Sequence, residues 1–406
     1  MTSTAKAAPA RTAPARPRLV GVDATRGVAL LGMMAVHSLW SVDAAGNETW
    51  TYALFAGRAA ATFAVLAGVG VAFMTGRRQV GRSGFGGVAA MLATRALAIG
   101  LIGLALGFAD SDVTNVILAA YAVLFVLAIP LVLLPTRALV VLGAAIMLLV
   151  PVLSHLVRPA LPVPTEANPS FVMLFTNPAG LLSELTLTGV YPALPWLAYL
   201  CAGLAIGRLH LSAPRVARGL LLGGAVAALV GWGLSRMLLG PAGGADALYA
   251  TAPASGLSPD DVTEILVWGG SGTTPTTTWW WLAVDAPHTA TPLDLLHTGG
   301  CAVALLGALL LVAGVRSPGV RLAISPLAAA GSMTLTLYSA HVAFLSSPLD
   351  VLPAVPGYLA QVAVVLVVAV LWRRTRGRGP LEALVATAAR RAREAVTRPT
   401  PRVLPH

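Results

Sequence analysis

Asp23, Arg26 and His37 lie in one apolar stretch between Val20 and Trp40, and their types and spacing could do chemistry. A helix turns about 100° per residue, so the step from Arg26 to His37 returns to within roughly 20° of the same face and advances about 16 Å. Asp23 precedes Arg26 by one turn, the i,i+3 spacing of a helical ion pair. One helix face therefore carries a paired charge near its start and an imidazole far along it. An imidazole titrates near neutrality, which suits a general base acting on a hydroxyl or amine, or a nucleophile that briefly carries an acyl group.

Further polar residues interrupt other apolar runs. Arg58 enters the second predicted helix at a depth similar to His37, where it either faces a cavity or snorkels to the headgroups. Thr334, Tyr338 and His341 share one face of a later helix by steps of four and three residues; the threonine reads as interhelical hydrogen-bonding glue, and His341 as a neighbour of the His37 cavity. His288, followed by Asp294 and His297, forms a second outer cluster that is otherwise ordinary loop surface. Gly-x-Ser-x-Gly, Walker A and strand-associated Gly-x-Gly-x-x-Gly patterns are absent, which leaves histidine as the best catalyst on offer. Gly68 and Gly70, in Leu66-Ala67-Gly68-Val69-Gly70, read as close helix packing. Cys201 and Cys301 sit in apolar runs as small hydrophobes, and no metal-ligand spacing occurs.

These residues must be positioned by membrane-spanning helices. The chain has 406 residues, 57% hydrophobic and 11% charged, with a mean hydropathy of +0.80, far from the roughly 25% charged residues of soluble domains. The reading is an all-α polytopic integral membrane protein of about ten transmembrane helices. They fall near 22–42, 52–74, 88–108, 114–134, 138–157, 190–209, 217–238, 295–314, 324–345 and 356–372. Both termini are expected in the cytoplasm: this assignment puts every Lys and Arg except Arg58, Arg158 and Arg236 inside, and every acidic residue except Asp23, Glu382 and Glu394 outside. The net charge of +11 thus follows from topology, with no nucleic-acid partner implied. Residues 1–17, rich in Ala, Pro, Thr and Arg, are expected to be a disordered cytoplasmic tail, with a cleaved signal peptide as the alternative. Residues 18–374 form the transmembrane domain, with long outer loops near 158–189 and 239–291. Residues 375–406 form a basic helical cytoplasmic tail. Arginine outnumbers lysine heavily, as in a GC-rich bacterial genome.

The stretch Gly21-Val22-Asp23-Ala24-Thr25-Arg26-Gly27 resembles the Asp-x-x-Arg-Gly opening of the heparan-alpha-glucosaminide N-acetyltransferase-like proteins, within the transmembrane acyltransferase superfamily. The Arg26 to His37 spacing resembles the signature of acyltransferase family 3. Tyr191-Pro192 through Trp196, Gly331 through His341, and Gly379-Pro380-Leu381-Glu382 are similar to markers of the bacterial domain-of-unknown-function families 418 and 1624. The resemblance implies a multi-pass plasma-membrane acyltransferase that takes an acyl group, usually acetyl, from cytoplasmic acyl-CoA to an extracytoplasmic glycan or lipid-linked sugar. His37 would be base or acyl carrier, and Arg26 with Asp23 would hold the acyl-CoA end. Arg58, His288, Tyr338, His341 and Trp196 would bind the acceptor. The heparan-specific members carry a histidine after helix 1 in a His-x-x-Trp-Asn-Gly context, whereas Ser41 to Thr51 contains none, so a heparan substrate is not implied. No metal is expected; membrane lipids and a homodimer partner are. The rival reading is a proton-coupled transporter or flippase for a polar or lipid-linked solute, with the same residues in a midplane cavity.

Overall fold

The apolar runs fold as helices. The computed structural model describes residues 19–165, 167–270 and 272–397; the predicted tail at 1–17 lies outside them. Among the described residues the order is helical throughout, save one isolated bridge between Val42 and Glu48. The charged stripe is on α1 (Val20–Ser38). A short α2 (Trp50–Phe55) leads into α3 (Arg58–Met74) through Gly57, whose φ of +69° is left-handed and favours glycine. Then come α4 (Arg82–Leu106), α5 (Leu118–Leu131) and α6 (Thr136–Val157). The Pro-rich segment that follows holds α7 (Phe171–Thr176), α8 (Pro178–Ser183) and a π turn at Glu184–Thr188. The chain crosses back in α9 (Ala193–Gly207) and α10 (Pro214–Leu239). The longest loop carries α11 (Gly244–Thr251) and α12 (Pro259–Trp268). The remainder is α13 (Pro292–Gly314), α14 (Pro318–Gly331), α15 (Thr334–Leu345), α16 (Ala354–Thr375) and α17 (Pro380–Thr397).

Every predicted interval contains helix, but not every interval is a plain span. Six helical stretches are long and apolar enough to cross a membrane, or eight when two bent pairs each count as one. Neither α1, which carries Asp23, Arg26 and His37, nor the 14-residue α5 is among them. The predicted continuous helix at 324–345 is broken: α14 and α15 meet at Ser332–Met333 with a 72° bend. Two contacts with other helices accompany the break. The backbone of Gly331 lies flush against the Asp23 carbonyl of α1, and Glu382 of α17 accepts from the backbone N–H groups of Leu335 (2.6 Å) and Thr336 (3.2 Å), capping α15 where a continuing helix would have capped itself. The predicted span at 114–134 likewise becomes helical only at Leu118: the Val116 N–H goes to the Asn168 side chain at 2.7 Å and the Ile117 N–H to the Tyr338 hydroxyl at 3.2 Å. Within the predicted C-terminal tail, Pro380–Thr397 is a helix laid along α4 with Val385 and Ala389 buried, so this part belongs to the bundle; residues 398–406 lie outside the described residues.

The bundle has a near face, where α1 starts, and a far face. At the near face the connecting loops converge: Arg77 donates to the carbonyls of Gly207 and Leu209, Gln79 to Leu133, and Arg208 to Leu134. At the far face Tyr52 donates to the Trp268 carbonyl and Arg158 to that of Thr274. Helices pack through small residues, as expected where dispersion rather than the hydrophobic effect drives association. A Cβ at Gly68 would overlap the Leu200 carbonyl, and one at Gly203 the Val65 carbonyl, so α3 and α9 touch backbone to backbone. The reading of Gly68 as packing holds; Gly70 instead borders Arg26, with open space beside it. Gly203→Ala should therefore destabilise the bundle by about 1–3 kcal/mol. Thermal unfolding of the detergent-solubilised protein checks this, and an unchanged midpoint would contradict the backbone contact.

Candidate active site

Two cavities meet at His37. The first, about 250 Å³, follows α1 from Arg26 to His37, walled by α3, α4, α5 and the bend between α14 and α15. The second, about 530 Å³, continues from His37 among the far-face loops, with Ser41, Asp112, Glu184, Glu264 and His288 on its wall. His37, Asn115 and Tyr191 line both. The helical stripe thus runs along the first cavity and ends at its junction with the second.

The imidazole of His37 is held from one side. Its Nδ1 lies 3.3 Å from Nε2 of His341, and Nδ1 of His341 lies 2.8 Å from the Gln361 carbonyl oxygen on α16. A carbonyl oxygen only accepts, so Nδ1 of His341 carries its hydrogen and its Nε2 presents a lone pair. That lone pair takes the hydrogen on Nδ1 of His37, which leaves Nε2 of His37 unprotonated. The two rings are nearly parallel, at 6°, with centroids 5.5 Å apart. Thr114 Oγ1 sits beside the His37 ring, 3.3 Å from Nδ1 and 3.5 Å from Nε2. The arrangement is a base oriented by a second group that is itself oriented by a third.

The segment before α5 completes the junction. Besides accepting from Val116, Asn168 donates to the carbonyls of Ala109 (2.8 Å) and Thr114 (2.9 Å). Tyr338 accepts from the Ile117 N–H at 3.2 Å, and Tyr191 donates to the Asn115 carbonyl at 3.4 Å. These bonds fix the non-helical backbone that presents Thr114 and Asn115 to the junction. The hydroxyl of Tyr338, expected to bind substrate, is engaged with this backbone while its ring lines the first cavity.

At the near-face end Arg26 donates to Asp23 Oδ1 at 3.0 Å, as the spacing predicts, and shares the first cavity with Arg95, Ser332, Thr334 and Glu382. His341 meets His37 as expected, and His288 lines the second cavity. Burial pushes the His288 imidazole down to about 4, so it is neutral near pH 7. Its φ of +62° is left-handed, and its ring stands edge-on to Tyr191.

Two expected members lie elsewhere. Arg58 is on the wall of neither cavity. It is the first residue of α3 after the Gly57 turn, and its guanidinium faces α13, 3.5 Å from Nε2 of His297, whose Nδ1 pairs with Asp285 at 3.2 Å. Ser235 donates to the same Asp285 at 3.1 Å, so the arginine is settled by a polar cluster apart from His37. Trp196 is buried behind the cavity wall, edge-on to Tyr191 and Tyr199 and stacked with His288 at 6.5 Å, where it supports the lining. Thr114, Asn115, Gln361 and Arg95 were not singled out from the sequence. Gln361 and Arg95 are each a polar residue in an apolar run, a readable signal; Thr114 and Asn115 open the predicted span at 114–134 directly after an acidic turn, where nothing marks them as site residues. Among the described residues no three His, Cys, Asp or Glu side chains converge as metal ligands.

A family model described as heparan-alpha-glucosaminide N-acetyltransferase, catalytic, matches residues 18–233. The matched stretch contains Asp23, Arg26, His37, Arg95, Thr114 and Asn115, and ends before His288, His341 and Gln361. No curated protein matches the chain significantly.

Proposed function

The chain belongs to the heparan-alpha-glucosaminide N-acetyltransferase catalytic family, and from that membership we propose that it carries an acetyl group across the membrane. The donor is acetyl-CoA at the near face, which is the cytoplasmic one, and the acceptor is an amine or hydroxyl of a glycan or lipid-linked sugar at the far face. The observation that carries this reading is the junction of the two cavities at His37. A donor arm laid along α1 reaches the imidazole from one side, and an acceptor reaches it from the other. The axial distance of about 16 Å from Arg26 to His37 leaves room for a flexible thioester arm between its charged end and the reacting carbon.

The chemistry follows from the tautomer. Nε2 of His37 takes the proton of the acceptor as its nitrogen or oxygen attacks the thioester carbonyl. The carbon–sulfur bond then breaks, and the departing CoA sulfur recovers the proton from the imidazolium. His341 and Gln361 hold the hydrogen of His37 on Nδ1, so Nε2 is the atom that takes and returns the proton. Asn115 lines both cavities at the junction and is the amide-bearing residue proposed to meet the carbonyl oxygen. The basic loops at the near face, including Arg77, Arg78, Arg82, Arg215 and Arg218, support its cytoplasmic assignment through the positive-inside rule. The bacterial plasma membrane is the setting that fits this arrangement.

The test is release of free CoA from acetyl-CoA by the purified protein in nanodiscs, with amino sugars and glycans as acceptors. Acetylated acceptor formed with equal CoA supports the reading; a folded protein that neither binds nor turns over acetyl-CoA overturns it. Gln361→Leu removes the carbonyl that fixes the relay, and should lower kcat about tenfold, less than the roughly 10²- to 10⁴-fold of losing the base itself, because His37 remains. Steady-state kinetics beside wild type checks this, and an unchanged kcat would remove Gln361 from the account.

A further inference from the structure

The near-face chamber contains one cation that the proposed chemistry leaves unused. Arg95 projects from α4 into the first cavity. Its guanidinium lies 5.3 Å over the Phe125 ring, and its NH1 reaches Met74 Sδ at 3.9 Å. Its Nε is buried with no hydrogen-bond partner. The ion pairs among the described residues, Arg26 with Asp23 and His297 with Asp285, do not include it. The carboxylate on the same cavity wall, Glu382, is spent on α15: it takes the N–H groups of Leu335 and Thr336 and the Thr336 hydroxyl at 2.6 Å. A guanidinium inside a span is expensive unless it faces a cavity or a partner, and such residues mark ligand paths. The planar fork of donors suits phosphate oxygens, which it can grip in pairs.

We propose that Arg95 anchors the phosphate-bearing end of the acyl-CoA donor in the chamber it shares with Arg26. This rests on the acetyl-CoA reading above and assigns a binding residue within it. Arg26 has part of its fork committed to Asp23, so Arg95 is the cation with donors to spare. Phe125 beneath the guanidinium and Phe63 farther along the wall offer an apolar lining for the arm that continues toward His37.

The experiment compares acetyl-CoA with S-acetylpantetheine, which has the same thioester arm without the phosphates, in nanodiscs of zwitterionic lipid. Wild type should show a much lower KM for acetyl-CoA than for S-acetylpantetheine. Arg95→Gln should raise the KM for acetyl-CoA about 10- to 100-fold, the scale of one lost charge-assisted contact, and leave S-acetylpantetheine kinetics unchanged. Arg95→Lys should recover part of the loss. Equal losses on both donors would mean that Arg95 only supports the fold. An unchanged KM with destabilisation on delipidation would mean that it holds a phospholipid headgroup. Either result overturns the assignment and leaves the donor reading standing. Failure of wild type to use or bind either thioester would instead overturn the donor reading itself.

Discussion

His37→Ala should lower kcat for acetyl transfer by about 10²- to 10⁴-fold, the range a positioned general base contributes. The side chain is the one imidazole that lines both cavities, and its Nε2 is left basic by the relay through His341 and Gln361. Alanine keeps the helix and leaves a cavity wall without the proton acceptor. Acetyl-CoA should still bind, since Arg26 and the near-face chamber are untouched, so KM should move much less than kcat. His37→Gln should fail equally, because an amide fills the space but accepts no proton near pH 7. Thermal unfolding should stay close to wild type, separating chemistry from folding. Full activity in a folded His37→Ala protein would remove this residue from the centre of the site.

Gly331→Val should cost more than any other single change named above, and it should cost folding first. The hydrogen of Gly331 points into α1, where a Cβ would overlap the Asp23 carbonyl oxygen and come within 2.7 Å of the Gly27 nitrogen. Gly27 answers from the other side, its own Cβ position overlapping the Leu327 carbonyl. Neither neighbour is a flexible side chain that can swing aside, so the two helices must part. We expect a loss of about 3 kcal/mol or more, at or beyond the usual range for overpacking. Little monodisperse protein should be recovered from detergent extracts, and what survives should have a displaced α1 and lost turnover. Size-exclusion profiles and thermal midpoints measure it; a normally folded, active Gly331→Val protein would refute the contact that sets the bend between α14 and α15.

The stripe on α1 was legible because it depends only on the periodicity of one helix: Asp23 pairs with Arg26 as the i,i+3 step demands, and His37 ends up at the far end of the same cavity. His341 was legible for a similar reason, as a polar residue on an apolar helix near the matching depth. Features set by two segments at once were hidden. The break at Ser332–Met333 comes from Gly331 meeting α1 and from Glu382 arriving from α17, and no local pattern in 324–345 reports either. The direction of Arg58 is set by the turn at Gly57 and by His297 across the bundle. Thr114 and Asn115 enter the site because Asn168, far along the chain, bonds the backbone on either side of Asn115. Depth can be counted along a helix, but azimuth relative to other helices needs the packing.

On the proposed reading, donor and acceptor approach His37 from opposite faces through two joined cavities. Proteoliposomes with the protein in one orientation test this most directly, with acetyl-labelled acetyl-CoA supplied only to the near face and an impermeant sugar acceptor enclosed at the far face. The expected result is label on the enclosed acceptor, CoA released only on the donor side, and neither in His37→Ala. Transfer only when donor and acceptor share one compartment would contradict it.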